Sequence, residues 1–166
     1  MVPAPEIALH DGALCTASLQ DISISVWRSV ATMDRLAAVR AHQARILAAH
    51  PGGIGVITII DQVGFSTMQV GRAEREEAGA MGRAAGPLTR AMAFVVLGNG
   101  FWAAAMRTAY AGVNLLIKPT YPNQTFDTLS HVPPWLLTYL PASSVDGEAL
   151  NKVMRDAIAA LDAAAR

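Results

Sequence analysis

Residues 91–140, AMAFVVLGNGFWAAAMRTAYAGVNLLIKPTYPNQTFDTLSHVPPWLLTYL, constrain the fold more than any other stretch of the chain. Residues 91–97 form an apolar run without alternation, bounded by turn residues, which predicts a strand covered on both faces. Gly98-Asn99-Gly100 breaks the run. Glycine tolerates positive φ, and Asn99 is the residue type that caps a following helix. Residues 101–117 then take up helical periodicity. Trp102, Ala105, Ala109, Gly112, Val113 and Leu116 share one face, which is expected to lie against the sheet. Arg107, Tyr110, Asn114 and Lys118 form a polar stripe opposite. Gly112 costs about 1 kcal/mol of helix propensity relative to Ala, a cost that a close backbone approach would offset. Lys118 suits the negative end of the helix dipole, and Pro119 and Pro122 stop the helix.

A chain of 166 residues is long enough to bury a substantial core in one domain. Residues 13–19 and 22–28 read as two strands joined at Gln20-Asp21 as a hairpin. In the second, Ile22, Ile24 and Val26 alternate with Ser23, Ser25 and Trp27, which predicts one buried and one less buried face. Thr32 is placed to cap a helix running to about Ala49, with Leu36, Val39, Ile46 and Leu47 toward the core and Arg35, Arg40 and Arg45 outward. His50-Pro51-Gly52-Gly53 ends it. The β-branched run IGVITII, residues 54–60, is a second buried strand. A weaker, exposed helix follows over residues 71–85, and a short edge strand over 125–127. Ser130 caps a short helix with Pro133 and Pro134 in its first turn, and Ser143 or Ser144 caps a last amphipathic helix. The expected organisation is a flexible tail over 1–12, a domain over 13–140 and a C-terminal helix over 143–166. The expected fold is an α/β sandwich with a mainly parallel four- to five-stranded sheet and an N-terminal antiparallel hairpin.

Composition excludes several classes of function. Hydrophobic residues make up 52% and charged residues 16%, and mean hydropathy is +0.32, yet no segment reaches the ~20 apolar residues that span a bilayer. The apolar surplus therefore belongs to a core, a subunit interface or a ligand cavity. Net charge is zero and no basic stripe is present for phosphate neutralisation, so no nucleic-acid partner is expected. The N-terminal residues lack the pattern of a signal peptide, and the single Cys15 suits a reducing compartment, so a cytoplasmic protein is expected. Four scattered histidines without ligand spacing predict no metal centre, and no cofactor is expected. The methionines, Met81, Met92 and Met106 among them, are read as core fillers.

Gly98-Asn99-Gly100-Phe101, Ala105, Arg107, Gly112-Val113-Asn114-Leu115-Leu116, Tyr121-Pro122, Phe126 and Trp135-Leu136, with the order of strands and helices over about residues 23–140, resemble STAS-like proteins. These are the SpoIIAA-like relatives of anti-sigma-factor antagonists, here an uncharacterised bacterial branch. The resemblance implies a non-enzymatic signalling module that binds another protein. It also implies a phospho-switch after the central strand. Ser66 and Thr67 are the candidates, five and six residues beyond Asp61, further along than the family's usual spacing.

Three surfaces follow as candidate sites. Arg107, Tyr110, Asn114 and Lys118 are a partner-binding stripe of the residue types enriched in hot spots, or simply a solvated face. Gly98, Asn99 and Gly100 are a turn that could hold an anion on helix N–H groups, or a plain tight turn. Asp61 stands at a strand's C-terminal end, where open α/β sheets place ligands. Two further readings stand beside the protein-binding module: a carrier or sensor for a small apolar ligand, and a small enzyme with its site near Asp61 and Asn99. The last helix carries Leu150, Val153, Met154, Ile158 and Leu161 on one stripe and must dock; it is expected to do so in a homodimer.

Overall fold

The computed structural model describes residues 4–166 and shows one mixed six-stranded sheet in the order β1-β2-β3-β4-β5-β6. The strands are β1 (Glu6–Asp11), β2 (Leu14–Leu19), β3 (Ile22–Trp27), β4 (Ile54–Ile60), β5 (Thr89–Val96) and β6 (Asn123–Phe126). β2 runs antiparallel to both β1 and β3, and β3 to β6 run parallel. The fold class is the expected one, with two strands longer or added. β1 occupies part of what was expected to be a tail. Its six residues are all exposed, but they pair with β2, and Glu6 and Asp11 bind Arg45 and Arg35 of the helix alongside. An edge strand with polar ends leaves little apolar signal, which is why the pattern of residues 6–11 did not announce it. Met1, Val2 and Pro3 of that tail lie outside the described residues.

Three helical crossovers link the parallel strands. Helix α1 (Met33–Ala49) joins β3 to β4. The short α2 (Phe65–Met68) and α3 (Arg72–Ala85) join β4 to β5, and α4 (Phe101–Ile117) joins β5 to β6. Successive strands always step the same way across the sheet. Right-handed crossovers therefore deliver all three connections to one face. That face carries Leu14, Trp27, Ile60, Phe94 and Val96, packed with Leu36 and Val39 of α1 and Ala103 of α4. Ser23 and Ser25 also lie on it and are buried, because α1 covers what the alternation in β3 suggested would be the wetter side.

The opposite face carries Cys15, Ala17, Ile22, Ile24, Val26, Ile57, Ile59, Ala93 and Val95. No crossover covers it, so the chain's C-terminal end does. Helices α5 (Val132–Leu136) and α6 (Gly147–Ala164) pack there through Val132, Leu136, Leu150, Val153, Met154, Ala157 and Leu161. Gly55 of β4 permits the approach: a Cβ there would stand 2.8 Å from Leu140 Cδ1. The apolar stripe of α6 is thus spent within its own chain, which corrects the expected homodimer through this helix. Two caps also differ from expectation, and the first is that of α5, where His131 rather than Ser130 stands at the N-cap. Asp146, rather than Ser143 or Ser144, caps α6 by accepting from the Ala149 N–H at 2.7 Å. Ser143 and Ser144 instead bond Asp21 and Gln20 of the β2–β3 turn. Among the described residues no helix is long and apolar enough to cross a membrane.

Candidate functional site

The crossover face is not filled. Between the sheet and its helices lies a cavity of about 320 Å³. Its floor is Ser25 and Trp27 of β3, Val56, Thr58 and Ile60 of β4, and Met92 and Phe94 of β5. Leu36, Val39 and Gln43 of α1 form one wall and Met106 of α4 the other. Ala78, Met81, Gly82 and Ala85 of α3 form the roof. The cavity exists because α3 does not settle on the sheet: none of its residues is buried. Its sequence, RAEREEAGAMGRAA, is mostly small and charged side chains, so it can roof a space but cannot fill one. The Arg40–Glu77 ion pair ties it to α1.

The lining is chemically quiet. The Trp27 Nε1–H donates to Ser25 Oγ at 3.0 Å, and Thr89 Oγ1 donates to the Ala85 carbonyl at 2.9 Å. Tyr110 and Tyr121 both point their hydroxyls at the Met92 sulfur, at 3.5 and 3.9 Å. Burial pushes the Tyr110 phenol up to about 12 and raises Tyr121, so both stay protonated at neutral pH. Among the described lining residues there is no carboxylate, histidine, lysine or cysteine. Such a site can hold an apolar body and orient a polar end on the Ser25 or Thr58 hydroxyl or the Gln43 amide. It has no group matched to proton transfer near neutral pH. Met81, Met92 and Met106, read from sequence as core fillers, pack against the core cluster of this face and also line the space. Flexible thioethers can fill irregular gaps in such a wall.

The polar stripe of α4 is turned the other way from expectation. Arg107, Tyr110 and Asn114 face the sheet side, and Trp102, Ala109, Gly112, Val113 and Leu116 face out. The cause is the end of β5. Arg107 donates to the Val96 and Gly98 carbonyls at 2.8 and 3.2 Å, and the Tyr110 ring stacks on Phe94 with centroids 3.7 Å apart. These contacts satisfy backbone carbonyls that an apolar face would have left without partners. Arg107, Tyr110 and Asn114 therefore hold α4 to the sheet and do not form an outward stripe. Lys118 alone of the four is exposed, at the left-handed C-cap of the helix.

The remaining candidates do not converge. In the Gly98-Asn99-Gly100 turn, Gly98 adopts φ of 104° and Gly100, not Asn99, is the N-cap. Arg107 donates to the Gly98 carbonyl of the turn. Thr67 is buried on the cavity rim and its Oγ1 accepts from the Gly64 N–H, whereas Ser66 is exposed on α2. Asp61 is held by Arg28, whose guanidinium also grips Asp162 at 2.6 Å and clamps α6 to the sheet. A carboxylate so engaged serves the architecture, holding α6 to the sheet through Arg28. His42 is buried with Nε2 on the Ala17 carbonyl at 2.9 Å and its ring held neutral chiefly by burial. His10 bonds Thr16. Burial pushes Cys15 up to about 11, which leaves it an unreactive thiol.

The fold is an α/β sheet with helices on both faces and a mainly apolar cavity on the crossover face. The chain matches no protein-family model, no curated protein and no solved structure.

Proposed function

We propose that the protein is a non-enzymatic α/β module, STAS-like in its element order, that carries or senses a small apolar molecule held in the cavity on the crossover face. One observation carries this reading. A space of 320 Å³, walled by aliphatic, aromatic and thioether groups, lies under a helix with no buried residue. Natural ligand pockets start near ~300 Å³, and a cavity of ~150 Å³ suffices for benzene. The occupant that fits is therefore a bicyclic aromatic or a short alkyl chain with one hydrogen-bonding end. A cytoplasmic setting goes with this reading, as does a ligand that enters past α3.

Native mass spectrometry of protein taken directly from cells tests the proposal, with a retained small molecule as the expected result. In parallel, a neutral naphthylamine dye should brighten on binding. Thr58→Phe and Met106→Trp, which fill the space from floor and wall, should each weaken the dye by about tenfold or more. Dye binding that survives both variants would place the site elsewhere, and no binding by the parent protein would end the reading. A protein-interaction role is favoured by a separate observation, the apolar outer face of α4.

A further inference from the structure

The outer face of α4 is apolar, large and uncovered. Phe101 is 75% exposed, Leu115 76% and Leu116 85%, with Trp102, Val113 and Ile117 beside them. Phe65 of α2 extends the patch, its ring 5.5 Å from that of Trp102. Together these side chains make an apolar surface larger than the ~300–600 Å² of a monomer's largest patch and on the order of the ~800 Å² each partner contributes to a stable dimer, with Leu115 and Ile117 on its two flanks. We propose that this face is the homodimer interface, with a second copy of the chain packing its α4 antiparallel across it.

Three features of the helix select a second copy over other occupants. The first is charge. Between Phe101 and Lys118 the one charged residue is Arg107, and its guanidinium is turned inward onto the Val96 and Gly98 carbonyls. Thr108, on the outer face, has already donated its hydroxyl to the Ala104 carbonyl at 3.1 Å. A charged partner finds nothing to pair with. Nor does an anionic membrane, which recruits helices through lysine and arginine on the flanks.

The second feature is symmetry of size. At 100° per residue, Phe101, Ala105, Thr108, Ala109, Gly112 and Leu116 fall on the outermost stripe. Large side chains stand at both ends and small ones in the middle. An antiparallel two-fold between Thr108 and Ala109 sets Phe101 against Leu116 of the second copy. Ala105 then opposes Gly112, where a Cβ would meet nothing within 4 Å. An isologous interface requires this kind of self-complementary patch. The third feature is that the other helices have no such face to offer. The stripe of α6 is buried on the sheet and α3 shows charged residues outward.

The test is the mass of the whole chain by light scattering, from low micromolar to tenth-millimolar concentration. The parent should be a dimer. Ala109→Glu sets two carboxylates together at the two-fold and should weaken it by about a hundredfold. Leu116→Glu should act likewise. Both residues are exposed in the monomer, so the circular dichroism should not change. Ala109→Cys gives a reading without added charge. Cys15 is wholly buried, so a short bismaleimide should join two chains through the new thiol alone. A parent that stays monomeric at every concentration overturns the proposal, whether or not it floats with neutral phosphatidylcholine vesicles. So does a dimer that Ala109→Glu leaves intact and Ala109→Cys does not cross-link.

Discussion

Removing α6 should unfold this protein rather than merely change its oligomeric state. The crossovers leave one sheet face bare, and α6 covers it with Leu150, Val153, Met154, Ala157 and Leu161, all buried. Full burial of Leu150, Val153, Met154 and Leu161 contributes about 1.5–3 kcal/mol each, or about 6–12 kcal/mol together before the cost of ordering the helix. A domain's whole stability is about 5–15 kcal/mol. Truncation after Ala142 also exposes Cys15, Ala17 and Ile24 and strips Arg28 of Asp162, so the remaining chain should be insoluble or lack a cooperative melt. Leu161→Ala is the graded form of the same perturbation. A wholly buried leucine cut to alanine costs about 2–5 kcal/mol. For a chain of this length each kcal/mol lowers the midpoint by about 2–4 °C, so a drop of roughly 5–15 °C is expected. Calorimetry at several protein concentrations is the assay. The gap between parent and variant should be the same at each, because the contact is within one chain. A soluble truncation with a sharp melt, or a gap that closes on dilution, would refute the intramolecular docking.

Three further outcomes follow from local physics. Val95→Asp should abolish soluble expression, because a carboxylate would be buried without a partner in the central β5; a soluble variant with an unchanged midpoint would contradict the burial of that strand. His42 should make stability fall in mild acid. Burial holds its folded pKa below 6.5, so as pH drops through 6.5 the unfolded chain takes up a proton that the folded chain refuses. The loss grows from 6.5 down to the folded pKa and then levels off, and chemical denaturation of His42→Gln should show that step flattened. Gly53→Ala should destabilise by about 1–3 kcal/mol, since Gly53 sits at φ 107° with the Leu88 carbonyl 2.9 Å from an added Cβ. Gly112→Ala on dilute protein should instead gain up to about 1 kcal/mol, as its Cβ enters open space.

The sequence by itself determined the elements whose signals are local. IGVITII became β4 over Ile54–Ile60, and the helix from Phe101 to Ile117 has the bounds its turn and prolines set. Thr32 caps α1, and His50 closes it with its N–H on the Ile46 and Leu47 carbonyls. β-Branching, capping and ring closure act within a few residues, so a linear pattern records them. Tertiary structure decided what those elements face. An amphipathic helix has two stripes, and nothing within α4 says that the carbonyls of Val96 and Gly98 would call Arg107 inward and leave Phe101 and Leu116 outside. The docking of α6 depended on the strand order, because only a sheet that steps one way with right-handed crossovers leaves a whole face to the C-terminal end. The cavity is least legible of all. It is the volume left where α3 stops short of β4, a difference between distances set by many contacts, and no single residue encodes it.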